Sequence, residues 1–170
     1  MKKPILKSID SLSILFGKFC KLMIVATIAA IIPEVISRYL YGRSFVPVHD
    51  LVWMFCGTMY MLGGSYTLLQ DGHVKVDVIY ARFQPRTRAI LDIITFPLFC
   101  AFCGVLCWQG AKGFWDSFKV LETTVTPWGG PVWLFKLTIP IGAFLLLLQG
   151  LAKFIRDLKI VVGREKSYAN

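Results

Sequence analysis

Acidic residues are scarce in this 170-residue chain: ten Asp and Glu stand against nineteen Lys and Arg, and charged residues make up only 17% of the sequence. A water-soluble domain carries about 25% charged residues, so this chain lacks the polar surface that would keep it in water. Histidine is rarer still, with only His49 and His73. Two histidines so far apart cannot pair as axial haem ligands, and with no cysteine in reach they make no zinc site. The five cysteines (Cys20, Cys56, Cys100, Cys103, Cys107) all lie in apolar stretches. An odd count away from loops argues against a disulfide framework, and they read as small packing residues. Cys100 and Cys103 form a C-x-x-C in the middle of a hydrophobic run, far from the surface where a thiol relay would exchange, and no outer loop holds a second pair. A glycine-rich phosphate loop, a nucleophile elbow and paired catalytic carboxylates are all missing, so neither an enzyme nor a cofactor is expected. No basic stripe interleaved with aromatics falls on a polar segment, which sets nucleic acid aside despite the net charge of +9. An internal repeat, the mark of inverted-repeat transporters, is also absent.

What the chain has is apolar length: 56% of its residues are hydrophobic. A membrane-crossing helix needs roughly 20 mostly apolar residues, and the runs fit an all-α integral membrane protein with four transmembrane helices. Helix 1 is expected over about 11–41, preceded by an amphipathic lead-in (Ile5, Leu6, Ile9, Leu12, Leu15, Phe16, Phe19) that either lies in the lipid interface or extends the helix. Helix 2 is expected over about 49–70 and is the cleanest stretch, uncharged from Leu51 to Leu69, with Gly57, Gly63 and Gly64 offering surfaces for close helix contact. Residues 71–84 form a short interfacial connector, helix 3 runs over about 85–112, residues 113–130 make a periplasmic loop, and helix 4 with its tail occupies about 131–162. All of it makes a single membrane domain, 1–170. Pro33 should weaken helix 1 one turn before Glu34, and Pro140 with Gly142 marks a kink or a close contact in helix 4.

Orientation follows from the basic residues. Fourteen Lys and Arg fall in the N-terminal segment, the 71–84 connector with the start of helix 3, and the C-terminal tail, against five on the other side. The positive-inside rule therefore puts both termini and the connector in the cytoplasm. Trp108, Trp115, Trp128 and Trp133 gather at the opposite interface like an aromatic belt. No small-residue cleavage site follows Met1-Lys2-Lys3, so the first helix is expected to be retained.

Few residues remain that could carry function. Glu34 and Arg38 are four apart and share a helix face; they read as a structural ion pair or, less readily, as a proton site, because the neighbouring guanidinium neutralises the carboxylate. His49 and Asp50 open helix 2, where Asp50 suits a helix N-terminus as a cap or reaches a substrate. His73 and Asp77 are likewise four apart in the connector. Lys136 lies inside the start of helix 4 and can snorkel to the outer interface.

Three motifs, in order, carry a resemblance: Glu34-Val-Ile-Ser-Arg38-Tyr39; Gly72-His73-Val74-Lys75-Val76-Asp77; and Trp128…Pro131-Val-Trp133…Lys136…Ile139-Pro140-Ile-Gly142…Leu148-Gln149. On four spans with both ends inside, over roughly residues 15–160, the chain resembles the small membrane subunit (DctQ-type) of tripartite ATP-independent periplasmic (TRAP) transporters. The resemblance implies a non-catalytic accessory subunit of a sodium-driven transporter for organic acids in the bacterial inner membrane. Its partners would be a large multi-span membrane subunit, a periplasmic substrate-binding protein and membrane lipid. It implies Glu34 and Arg38 as a structural pair, His73 and Asp77 as anchors of the connector, and Arg43, His49, Asp50, Trp115, Trp128, Trp133 and Lys136 as residues of the periplasmic interface or of the surface near the docked binding protein, the helix 4 tryptophans reading more readily as plain interface anchors. The alternative is a self-sufficient proton-coupled exporter working as a homodimer around Glu34.

Overall fold

The computed structural model describes residues 3–42, 44, 46–70 and 85–162. They form five helices: α1 (Lys3–Tyr41), α2 (Val46–Leu69), α3 (Pro85–Lys119), the single-turn α4 (Val132–Lys136) and α5 (Thr138–Val161). Three stretches are long and apolar enough to cross a membrane: Leu6–Tyr41, Thr87–Lys119 and Val132–Val161, the last running through the α4–α5 break. The 24 residues of α2 would reach about 36 Å at 1.5 Å each. Its apolar run is diluted by glycine, threonine, serine and tyrosine, so α2 is not among the helices that length and composition mark as spans, although it carries no charge from Leu51 onward.

Several helix limits differ from the sequence expectation. Of the two readings of the lead-in, the extension of the helix is the one seen: α1 is continuous from Lys3 and carries Pro33 in its interior. It stops at Tyr41 because Gly42 adopts φ +62° and returns its N–H to the Arg38 carbonyl at 3.1 Å, a left-handed ending that glycine adopts without strain. Helix α2 begins at Val46 rather than near residue 49, with Pro47 in the first turn, where its missing N–H costs nothing. Helix α3 continues to Lys119, so Trp115 belongs to a helix and not to the following loop. The fourth helix is split at Leu137. Pro140 explains the split: it has no N–H to offer the Lys136 carbonyl, and its ring crowds that turn.

Helix α5 is the centre of the bundle. It packs against α3, α2 and α1, while α3 is held to the rest chiefly through α5. The contact faces use small residues. A Cβ on Gly142 would collide with the Met61 carbonyl of α2, one on Gly110 would come within 2.7 Å of Ile139, and one on Gly17 within 2.5 Å of the Tyr66 ring. The Gly142 contact lies where Pro140 and Gly142 were expected to mark one, whereas the glycines of α2 do not serve as expected: Gly57 has nothing within 4 Å of its would-be Cβ and Gly63 and Gly64 have ordinary room. Close backbone approach increases dispersion contact, the main attraction available between helices in lipid. Cys20, Leu62 and Leu145 join α1, α2 and α5 in a small buried cluster against Phe16 and Met59.

Outside these seams the surface is apolar. Ile94, Leu98, Phe102, Val105 and Trp108 on α3, and Leu15, Leu22, Val25, Ile32 and Leu40 on α1, are all exposed. An apolar exterior around a core of small and polar residues is a membrane protein's arrangement.

Gly142→Val should force α2 away from α5 and destabilise the chain by about 1–3 kcal/mol, as overpacking does. Gly57→Ala, which enters open space, should be neutral or slightly stabilising. Thermal unfolding of the detergent-solubilised protein, followed by circular dichroism, separates the two.

Candidate functional site

Polar side chains gather at the two ends of the bundle. At one end, Glu34 is 7% exposed and directly follows Pro33. Arg38 Nη2 donates to Glu34 Oε1 at 3.1 Å, Ser44 Oγ donates to the same oxygen at 2.8 Å, and Arg38 reaches Ser44 at 3.1 Å. The carboxylate is thus neutralised within its own chain, and the triangle ties the end of α1 to the segment that leads into α2.

At the same end, the 120–131 loop closes over α2 and α4. Lys136 Nζ donates to Glu122 Oε2 at 2.5 Å and to Ser117 Oγ at 2.6 Å, and the Ser117 hydroxyl also donates to Glu122. These bonds, first that from Lys136 and then that from Ser117, hold the Glu122 carboxyl below the ordinary carboxylate range. Lys136 therefore reaches a carboxylate in this loop and does not merely snorkel toward solvent. The Thr126 hydroxyl donates to Asp50, which sits in the second turn of α2 and so binds across to the loop instead of capping its own helix. Within the loop, Thr124 N–H donates to the Gly130 carbonyl and Gly130 N–H to Thr124 Oγ1, both at 2.8 Å.

The end of α3 is unusual in its residue type. Glu122 N–H donates to the Ser117 carbonyl at 3.0 Å and Leu121 N–H to the Phe118 carbonyl at 3.2 Å, the paired bonds of a Schellman ending. Leu121 occupies the left-handed position of that motif at φ +46°. Glycine fits there freely, whereas a leucine costs about 1–2 kcal/mol.

The opposite end holds a network that the sequence reading missed. Gln149 and Ser13 are each 1% exposed. Ser13 Oγ donates to Gln149 Oε1 at 3.1 Å, Gln149 Nε2 donates to Asp10 at 3.2 Å, and Arg156 Nη2 grips both Asp10 oxygens at 2.6 Å. One helical turn away on α5, Lys153 pairs with Asp92 of α3 and lies 3.4 Å from Asp157. So α5 clamps α1 through Gln149 and Arg156, and α3 through Lys153. The available signal was Gln149 itself, a lone amide in a run of leucines, because a polar group inside a span normally marks an interhelical bond.

The remaining expected residues scatter. His49 accepts from Trp53 Nε1 at 3.2 Å on an exposed face. Trp115 stacks with Phe118 beneath Lys119, and Trp133 meets Phe118 edge-on. Trp128 covers Gly130 within the loop. Arg43, His73 and Asp77 lie outside the described residues. A crevice of about 330 Å³ opens between α2 and the α4–α5 break, lined by Trp53, Gly57, Thr58, Met61, Phe135 and Ile139 among others. Its walls are almost wholly apolar and present no reactive pair.

A family model described as the DctQ component of tripartite ATP-independent periplasmic transporters matches residues 27–160. No curated protein matches the chain. The matched stretch contains the Glu34 triangle, the tethered loop and Gln149 with Lys153 and Arg156; Asp10 and Ser13 precede it.

Gln149→Leu should destabilise the bundle by about 1–3 kcal/mol, because it strips the buried Ser13 hydroxyl of its partner and removes one of the bonds to Asp10; Ser13→Ala should cost less. Chemical unfolding in detergent gives both values. The Glu122 tether should behave differently with pH. A carboxyl whose value is lowered by folding stabilises above its ordinary range and loses that contribution as pH falls through the lowered value. The protection of the 120–131 amides, measured against their intrinsic exchange rates at each pH, should therefore fall in acid, below the usual carboxylate range, and Glu122→Gln should flatten that dependence.

Proposed function

The chain belongs to the DctQ-component family of tripartite ATP-independent periplasmic transporters, a family of transporter subunits and not of enzymes, and from that premise we propose what the small subunit does. It is a static brace: a multi-pass subunit of the bacterial inner membrane that holds the large transport subunit and helps dock the periplasmic substrate-binding protein of a sodium-driven organic-acid transporter. Four spans with both termini cytoplasmic complete the topology, α2 crossing as the partner of α1 and α5.

One observation supports this reading above the others: Glu34, Asp10, Asp92 and Asp157 each have a basic partner within the same chain. A carboxylate that couples transport to ion flow has to exchange its partner during the cycle. Carboxylates clamped between helices keep a body rigid instead. The exposed apolar faces of α1 and α3 add a surface that only lipid or another membrane subunit can cover. The homodimeric exporter fits less well, because Glu34 is buried against Arg38 and Ser44.

Purification in mild detergent should recover this chain with a much larger membrane subunit, and vesicles holding this chain alone should not transport. Glu34→Ala should lower the yield of the complex while leaving the sodium dependence of whatever complex forms unchanged. Proton-coupled transport by the chain alone, abolished in Glu34→Ala, would establish the exporter instead.

A further inference from the structure

Toward the end of the bundle that holds Gln149, some cations are taken up by carboxylates and others are not. Arg156 grips Asp10, and Lys153 pairs with Asp92. Lys18 and Lys21 of α1 are exposed, and neither has a carboxylate partner among the described residues. They are three apart on one helix face, where like charges repel. Lys21 Nζ lies 5.6 Å from the centre of the Tyr66 ring of α2, and that ring packs over Gly17. Cation–π attraction steadies this ammonium, and the Tyr66 hydroxyl has no partner among the described residues. Two helices thus bring two ammonium groups and a hydroxyl to one patch without an anion.

The surroundings decide which anion fits. Leu15 and Phe19 before the pair, and Leu22 and Val25 after it, are exposed apolar residues of the same helix. From Lys21 to Arg38 is 17 residues, about 25 Å of helix, close to the roughly 30 Å of a bilayer's hydrocarbon. With Arg38 near one face of the membrane, Lys18 and Lys21 stand near the other, where long basic side chains lift their charge out of hydrocarbon. A phospholipid offers both parts of what this patch lacks, an anionic head for the ammonium groups and apolar chains for Leu22 and Val25. The large membrane subunit is the weaker occupant. A carboxylate on one of its spans would have to shed water to reach this depth, whereas lipid phosphate is already there.

We propose that Lys18, Lys21 and Tyr66 form a site for the headgroup of an anionic phospholipid, whose chains run along Leu22 and Val25; under the topology proposed above, that lipid belongs to the inner leaflet. The site is a property of this chain and stands apart from the accessory role.

The test uses the full chain, alone or in whatever complex it purifies with, in detergent supplied with phosphatidylglycerol or phosphatidylcholine of identical chains. Native mass spectrometry counts the bound lipid. The protein should prefer phosphatidylglycerol by about tenfold or more. Lys18→Gln and Lys21→Gln should each lower that preference by about threefold to fivefold, and together remove it. Tyr66→Phe, which keeps the ring on Gly17, should lower it by about twofold. Lys21→Arg should keep it, as should Lys112→Gln, which removes an exposed cation at the other end of the bundle. The lysine variants change only surface side chains and should melt like the parent chain. A measurement without variants guards against misfolding: inorganic phosphate should not displace the lipid, and displacement would make this a site for a free anion. Equal binding of the two lipids, or a preference that survives both glutamine substitutions, would overturn the proposal. So would an equal loss in Lys112→Gln, which would reduce the preference to general charge attraction. Loss of a larger subunit from the lysine variants, with the lipid preference intact, would make the patch a protein contact instead. A chain that shows the preference yet joins no larger subunit keeps this site and defeats the accessory role.

Discussion

A polar side chain inside an apolar helix has no water to turn to, and in this bundle the partner it finds is α5. Gln149, Lys153 and Arg156 occupy successive turns of one helix and reach Ser13 and Asp10 on one side and Asp92 on the other. Hydrophobic burial cannot select among helix arrangements when the surroundings are themselves apolar, so selection falls to close packing and to these few directional bonds. Gly142 against the Met61 carbonyl and Gly110 against Ile139 bring the backbones near enough for the polar side chains to meet. Small residues set the distance, and polar residues set the register.

The two ends of the molecule differ in kind. The Asp10–Gln149–Arg156 end joins helix to helix, whereas the Glu34 end joins helices to the irregular segments between them. Ser44 and Arg38 fasten the exit of α1, and Glu122, Lys136, Thr126 and Asp50 fasten the long loop to α4 and α2. Among the described residues of the two ends, the carboxylates of Glu34, Asp10 and Asp92 are each held by a basic side chain. For a subunit proposed to brace a moving partner, that is the useful property, since a brace with a second stable arrangement of its charges would yield under load.

Much of the fold could be read from the sequence, and the limits of that reading have physical causes. Apolar runs identify helices because burying backbone polar groups in lipid leaves few alternatives. The Glu34–Arg38 contact is readable because a four-residue spacing carries its own geometry. Pro140 was visible as a local disturbance, but the size of the disturbance, a full break at Leu137, depends on how α4 seats under the loop. Lys153 with Asp92 and Arg156 with Asp10 were invisible as pairs: each joins residues from different helices, and no local pattern encodes which helices are neighbours. The same applies to the crossing glycines. Gly57 and Gly142 were both candidates for close contact, yet only the second lies against a carbonyl, and nothing in the sequence named that carbonyl as Met61's. Nor does sequence announce that Leu121 closes a Schellman ending, because glycine is the signal one looks for there.

The central position of α5 has a further consequence, for the order in which the molecule is made. Asp92 precedes its partner Lys153 by 61 residues and Asp10 precedes Arg156 by 146. At about 5–20 residues per second, the ribosome delivers Lys153 about 3–12 seconds after Asp92, and Arg156 follows Asp10 by longer still. During that interval α1 and α3 are in place before the helix that joins them. Helix α5, emerging after both, brings Lys153 to Asp92 and Arg156 to Asp10 and draws the earlier helices together, so these three helices are joined only once Arg156 has been made.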